Sequence, residues 1–305
     1  MFVIPVIASI AACTVVIHSD RAQCSGNEDC VGRGLSANAV CLVGVCAEPD
    51  PVAADEVDAA VEDSGPADPI WGCIGKVPPA LAPDPSVPVT FRARYVGLIS
   101  SSAMSGLTIK PCEVKDATCA GFTGTPFLTN DNGQVDVPLH NGFRGYLEIG
   151  PSEQVPNLMP TLSYIQPVPD KNNMPEKPFT WVLLTKSDLD FLVANSQKAV
   201  NPELGHIIYG TRNCQYVRPP NTRVRAEPIA ADTFAFYTDP SGLPSLTQGK
   251  TSVSGNGGFI NMPPGYVTVH FSTENGDDVG AFEVLVRAGT ITQLVFGPAV
   301  DIKVE

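Results

Sequence analysis

The chain has 305 residues, of which 43% are hydrophobic and only 17% charged, with a formal net charge of −13 at pH 7. That composition allows a packed core and excludes a coiled coil or a wholly disordered chain. The acidic balance excludes a nucleic-acid binder that tracks phosphates. The 29 prolines and 27 glycines favour many short strands joined by turns. No apolar run beyond the N-terminus reaches the ~18 residues of a membrane-spanning helix.

The first thirteen residues, MFVIPVIASIAAC, read as the apolar stretch and small-residue cleavage site of an export signal. Ile10-Ala11-Ala12-Cys13 resembles a bacterial lipobox, which implies that Cys13 is diacylated and becomes the mature N-terminus. No Lys or Arg precedes Cys13, so the usual positive n-region is missing. By resemblance to Gram-negative lipoproteins, Thr14 after the Cys implies sorting to the outer membrane. Eight cysteines remain once Cys13 is set aside, an even number that fits disulfides in an oxidising compartment.

Cys24, Cys30, Cys41 and Cys46 fall within 23 residues that carry little else to form a core, so two disulfides are expected to hold this head. The spacings C-x5-C, C-x10-C and C-x4-C lack a C-x2-C knuckle or a nearby His, which disfavours zinc. The pattern over residues 9 to 46 resembles the head of surface lipoproteins common in myxobacteria, a resemblance that implies an address rather than an activity. Residues 47–72 follow as an acidic linker: Glu48, Asp50, Asp55, Glu56, Asp58, Glu62, Asp63 and Asp68 occur without a Lys or Arg among them. Like charge and four prolines predict an extended, disordered tether.

Beyond the linker, Val89, Phe91, Ala93 and Tyr95 alternate with Thr90, Arg92 and Arg94, which predicts a half-buried strand. Val267–Phe271 and Phe282–Arg287 show similar alternation. Two stretches repeat, 129–149 and 254–271, each with an Asn-Gly pair, a short strand, a second reversal at Gly142 or Gly265 and an alternating strand. Gly133 and Gly257 lie 124 residues apart, about one domain length. The repeat resembles the carboxypeptidase regulatory-like domain, best in the second copy through Gly257, Phe259, Pro264, Gly265, Val267 and Val269. In the first copy Asn141-Gly142-Phe143 stands where the family has Pro-Gly. The resemblance covers about residues 86 to 298 and implies an all-β chain of two tandem prealbumin-like (transthyretin-like) β-sandwiches.

Residues 185–202 break the period. Leu189, Leu192, Val193 and Val200 share one face of a predicted helix with Thr185 or Ser187 as N-cap. The expected organisation is therefore a lipoprotein signal peptide (1–13), a cysteine-rich head (14–46), the linker (47–72), a first β-sandwich (73–184), a helix connector (185–202) and a second β-sandwich (203–305). Cys112 and Cys119 are expected to bridge locally. Cys73 and Cys214, each before an early strand of a sandwich, could staple the two domain starts together.

No catalytic constellation emerges. His18, His140, His206 and His270 show no metal-ligand spacing, and there is neither a nucleophile elbow nor a Walker loop. No cofactor and no metal site are expected. One weak binding candidate stands out: Arg212, Arg218, Arg223 and Arg225 lie within 14 residues, near Tyr209 and Tyr216, where guanidinium planes could hold an anionic glycan or a partner carboxylate. The sequence thus reads as a non-catalytic lipoprotein of the outer membrane or cell surface of a Gram-negative bacterium, anchored to the membrane at Cys13, whose sandwiches bind or scaffold an extracellular protein or glycan. The alternative is an exported hydrolase or glycan-active enzyme with a site in the sandwich loops.

Overall fold

The computed structural model describes residues 40–42, 45–47, 70–76, 82–165, 178–194 and 198–298. The expected lipid attachment at Cys13, the head cysteines Cys24 and Cys30 and residues 48–69 of the expected tether lie outside the described residues. So do the side chains of Cys41 and Cys46, whose backbones face each other in the hairpin of β1 (Val40–Leu42) and β2 (Val45–Ala47). Residues 70–72, expected as the end of the tether, instead form turns, and Trp71 packs on the core.

Among the described residues the regular secondary structure is almost entirely strand. The first copy contributes β3 (Asp84–Gly97), β4 (Thr108–Glu113), β5 (Phe127–Leu128), β6 (Gln134–Asn141), β7 (Gly145–Gly150), β8 (Thr161–Ile165) and β9 (Phe179–Leu183). A helix, α1 (Lys186–Val193), the one helix among the described residues, follows. The second copy contributes β10 (Gly205–Thr211), β11 (Arg223–Glu227), β12 (Phe234–Thr238), β13 (Pro244–Ser245), β14 (Asn256–Met262), β15 (Gly265–Ser272), β16 (Asp278–Val286) and β17 (Ile291–Phe296).

The two copies share a strand order. In the first, β3 lies between β6, antiparallel, and β9, parallel; in the second, β10 lies between β14, antiparallel, and β17, parallel. The facing sheets run β4-β7-β8 and β11-β15-β16, so six strands of each copy correspond. The copies differ at the edges: β5 joins β4 in the first, whereas β12 and β13 extend the sheet beyond β14 in the second.

The sandwiches do not stand apart. β17 pairs in parallel with β8, placing Ile291 opposite Thr161 and Gln293 opposite Ser163. One sheet of each copy thereby merges into a nine-stranded sheet, flanked by two three-stranded sheets. The merged sheets are not equivalent ones: the β10-containing sheet of the second copy continues the β4-containing sheet of the first.

Strands with one wet face alternate as the sequence predicts. Val89, Phe91, Ala93 and Tyr95 are buried, as are Val267, Val269 and Phe271, while Arg92 and His270 point outward. β12 is buried at all five positions because both its faces are covered. Ala235 and Tyr237 enter the core of the second sandwich, and Phe234 and Phe236 pack under α1 with Leu189 and Val193. The helix is capped at Thr185, whose hydroxyl accepts from the Asp188 N–H while the Asp188 carboxylate accepts from the Thr185 N–H. It is shorter than expected: the helix ends at Val193, and Val200 packs on the same cluster from outside it.

The Asn256-Gly257 turn expected from the sequence is not a turn. Both residues lie inside β14, and the positive φ falls on Gly255 (+63°), the counterpart of Gly133 (+69°). Each of these two glycines closes a tight turn and accepts, through its carbonyl, a bond from the copy's first strand or its end: Tyr95 N–H to Gly133 and Thr211 N–H to Gly255. Gly257 is glycine for a different reason. A Cβ there would stand 2.5 Å from the Tyr209 hydroxyl and 2.7 Å from the Phe236 carbonyl. The register of the two copies is therefore set by Gly133 and Gly255, two residues away from the pairing expected.

Several sheet edges carry side-chain bonds or a proline. Tyr164 on β8 accepts the Leu285 N–H of β16 (2.6 Å), and Gln293 on β17 donates to the Val182 carbonyl of β9 (3.0 Å). The Tyr237 hydroxyl meets both backbone groups of Val224 on β11, accepting from its N–H (3.2 Å) and donating to its carbonyl (3.3 Å). β6, an edge strand, carries Pro138, which has no N–H to offer a neighbouring chain.

Candidate functional site

Three places gather polar chemistry: the junction between the copies, a cleft on the first copy and the arginine loop on the second. At the junction Arg287, just past β16, is the hub. Its Nη1 donates to Glu148 Oε2 (2.5 Å), its Nη2 to the Tyr146 hydroxyl (2.8 Å) and its Nε to the Ala117 carbonyl (3.0 Å). Glu148 also takes Lys110 Nζ at 3.1 Å. Burial alone would raise the Glu148 carboxyl, but the bonds from Arg287 and Lys110 outweigh it and hold the group below its ordinary value. Burial likewise pushes the Tyr146 hydroxyl up to about 12, so it stays protonated and donates to the Asp116 carbonyl (2.5 Å). Every polar group of this cluster is engaged, so it serves to clamp the copies rather than to react.

Arg287→Ala is expected to cost about 2 kcal/mol, since it removes charge-assisted bonds and leaves Glu148 half-buried with Lys110 as its remaining cation. Urea unfolding measures this. A change below about 0.5 kcal/mol would place the clamp among surface ion pairs of negligible weight.

Cys112, Cys119 and Glu148 place ligand atoms within 4.8 Å of one another, a metal-like grouping. The two sulfurs, however, are joined to each other across Cα atoms 5.1 Å apart, so no thiolate is present to bind a metal. The local bridge expected from the sequence is thus formed. It braces the loop in which Asp116 accepts the N–H groups of Gly121 (2.6 Å), Ala120 (3.0 Å) and Thr118 (3.3 Å).

A cleft of about 320 Å³ lies beside this loop, walled by Pro111, Phe122, Leu139 and Phe143, with Glu113 and His140 at its rim. His140 Nε2 stands 3.4 Å from Glu113 Oε1, and its ring meets Phe143 edge-on at 5.5 Å. Asp116 also lines the cleft, giving it two carboxylates. The bond from Gly121 N–H, foremost among several, lowers the Asp116 pKa, the opposite of what a general acid at neutral pH requires. The cleft thus holds an exposed carboxylate beside an imidazole, with its second carboxylate turned to its own loop.

The structure separates the four predicted arginines into two pairs. Arg223 and Arg225 lie on the outer side of β11, with Arg225 across from His270 on β15. His270 Nε2 is 2.9 Å from Glu227 Oε1 on the same face. Arg212 and Arg218 instead occupy the loop after β10. Arg212 is half-buried, donates to the Thr211 carbonyl at 2.8 Å and lies 5.9 Å from the centre of the Tyr216 ring. Burial, together with the charge of Arg218, lowers the Arg212 pKa. Cys214, between them, is bonded to Cys73, as its place before an early strand suggested. His206, dismissed as a site from the sequence, is fully buried at the start of β10. Its partners and those of Arg287 lie dozens of residues or more away in the chain, and no local pattern signals them.

No family model matches the chain, and no curated protein does. Among solved structures the Bacillus anthracis TIE protein is 13% identical over 69% of this chain and 34% of its own, with a TM-score of 0.20. The chain therefore spans about a third of that protein's length. A double mutant of the shaft pilin SpaA from Lactobacillus rhamnosus GG is 9% identical over 71% of this chain and all of its own (TM-score 0.22). BcpA, the major pilin subunit of Bacillus cereus, is 10% identical over 65% and 68% (TM-score 0.23). TM-scores this low do not establish a common overall fold.

Proposed function

We propose that the chain is a non-catalytic, exported surface protein in which two fused sandwiches form a stiff body that presents loops to envelope or extracellular partners. The observation that carries this reading is the junction. A shared nine-stranded sheet and the Arg287 clamp bind the copies into one unit, the Cys73–Cys214 bridge adds the segment before the first copy to the second, and such a body holds its loops in fixed relation. Two disulfides fit an oxidising compartment. The lipobox-like Ile10–Cys13 sequence supports attachment through a diacylated Cys13 in a Gram-negative outer membrane, and the acidic residues 47–72 would then separate membrane from body. An exported hydrolase would need a free acid–base pair, and the cleft's second carboxylate is taken up by its own loop.

The test is a Cys13→Ala variant expressed in a Gram-negative host. Cys13→Ala is expected to move the protein from the membrane fraction to the soluble one and to abolish labelling by radioactive palmitate. Label persisting in the variant would overturn the anchor.

A further inference from the structure

The loop Arg212–Asn221 carries two cations without counter-ions. Neither Arg212 nor Arg218 makes an ion pair among the described residues, although burial and their mutual charge weigh on Arg212. Both rest on the same shelf. Arg212 bonds the Thr211 carbonyl, and Arg218 packs its stem where a Cβ on Gly255 would come within 2.9 Å of its own Cβ and 3.0 Å of the Thr211 hydroxyl. Gly255 is thus the residue that leaves room for Arg218. A pair of like charges held together without an anion is an arrangement that an external anion relieves.

The loop is also pre-shaped. The Asn213 side chain accepts the N–H groups of Gln215 (2.9 Å) and Val217 (3.0 Å), and Cys214 is pinned by its disulfide. Tyr216 is held at φ +61°, a region costly for a non-glycine residue, with 69% of its surface exposed. The exposed Tyr216 ring has the Arg212 guanidinium 5.9 Å from its centre, and the charge of Arg218 is felt by Arg212, so a stacking face adjoins cationic forks for a planar oxyanion.

We propose that Arg212, Arg218 and Tyr216 form a binding site for a carboxylate-bearing glycan, a uronate sugar whose carboxylate bridges the guanidinium groups while its ring lies on Tyr216. The proposal rests on the reading of the chain as a binding scaffold and gives that scaffold a ligand class. A glycan is favoured over an acidic peptide because Tyr237 takes up both outward backbone groups of Val224 at the start of β11, bonds that a peptide adding as a strand beside the loop would have to displace.

The experiment is calorimetric titration of the full chain with oligogalacturonate, with its methyl ester and with poly-glutamate. Oligogalacturonate is expected to bind, more weakly at high salt, and the ester not to bind. Arg212→Gln and Arg218→Gln should each weaken binding at least tenfold and Tyr216→Ala several-fold, while Arg223→Gln/Arg225→Gln should leave it unchanged. Poly-glutamate binding as tightly would overturn the glycan assignment. Binding that appears only after the eight acids between Glu48 and Asp68 are neutralised would assign the site to the chain's own acidic segment. No binding by the native chain, or binding indifferent to Arg212 and Arg218, would remove the site. Failure of that kind leaves the scaffold reading intact, because release of the Cys13→Ala protein and its loss of palmitate label are measured separately.

Discussion

Replacing Cys73 and Cys214 together with serine is expected to lower the unfolding free energy by about 5 kcal/mol, the largest effect of any change considered. The bridge joins residues 141 apart, and a loop of that length gives about this much in the chain-entropy model. The loop contains the whole first sandwich. The bridge also fixes the segment 70–76 against the second sandwich, where Cys214 N–H donates to the Ile70 carbonyl at 3.1 Å and Trp71 and Ile74 pack on the core. Cys112–Cys119, with a separation of 7, is worth about half as much by the same model. Urea unfolding of the two double-serine variants should therefore rank them in that order. Trypsin should cut more readily after the exposed Lys76 in the Cys73/Cys214 variant alone. Equal destabilisation by the two variants would show that the long bridge adds no constraint beyond those of the merged sheet.

Much of the fold could be read from the sequence wherever a strand has one wet face. Val89–Tyr95 and Val267–Phe271 alternate because one side meets water and the other the core. β8 and β12 carry no such period, being buried at every position, and these are strands that knit the copies together and carry the helix. The merged sheet was accordingly hidden: nothing in the run of residues 161–165 says that its edge will meet a strand 130 residues later.

The glycines show a different limit. An Asn-Gly pair usually signals a turn because glycine tolerates positive φ, yet Gly257 is required for the close approach of Tyr209 and Phe236, and the turn falls two residues earlier. Local chemistry cannot distinguish the two needs, since the second depends on which side chain lies across the sheet. The arginine cluster was half legible for the same reason. Proximity in sequence grouped four residues, and the backbone then sent Arg223 and Arg225 to an open sheet face and left Arg212 and Arg218 on the loop. The two described disulfides were more legible than either, because Cys112 and Cys119 lie seven apart and Cys73 and Cys214 were left over once the other cysteines were grouped by spacing.

Acidification is expected to weaken the fold through His206 before any carboxylate contributes. The residue has no exposed surface, and burial pulls its pKa down to about 4. Its Nδ1 accepts the Asn261 N–H at 3.3 Å, so the neutral ring carries its proton on Nε2, which has no partner among the described residues. Protonation would add a charge and turn that acceptor into a second donor facing an N–H. Asn261 cannot readily move aside: it is itself buried at φ +61°, its side chain accepts Asn201 N–H at 2.9 Å and its carbonyl takes the Thr233 hydroxyl at 2.6 Å. The unfolded chain binds a proton at His206 below about pH 6.5 and the folded chain only below about 4. Stability is therefore complete above 6.5 and falls as the pH drops from 6.5 to 4, by about 3 kcal/mol over the window. Glu148 and Asp116, both held below their ordinary values, add their losses only near and below the lower end. Urea unfolding at pH 7 and pH 5 should show the decline in the native chain. His206→Asn keeps an acceptor for Asn261 and cannot take up a proton, so it should cost more stability relative to the native chain at pH 7 than at pH 5 and flatten the difference between the two pH values. His140 and His270 remain in the variant and cancel in that comparison. A native chain equally stable at pH 7 and pH 5, or a His206 ring titrating near 6.5 by NMR, would show that water reaches the ring and that burial does not hold it neutral.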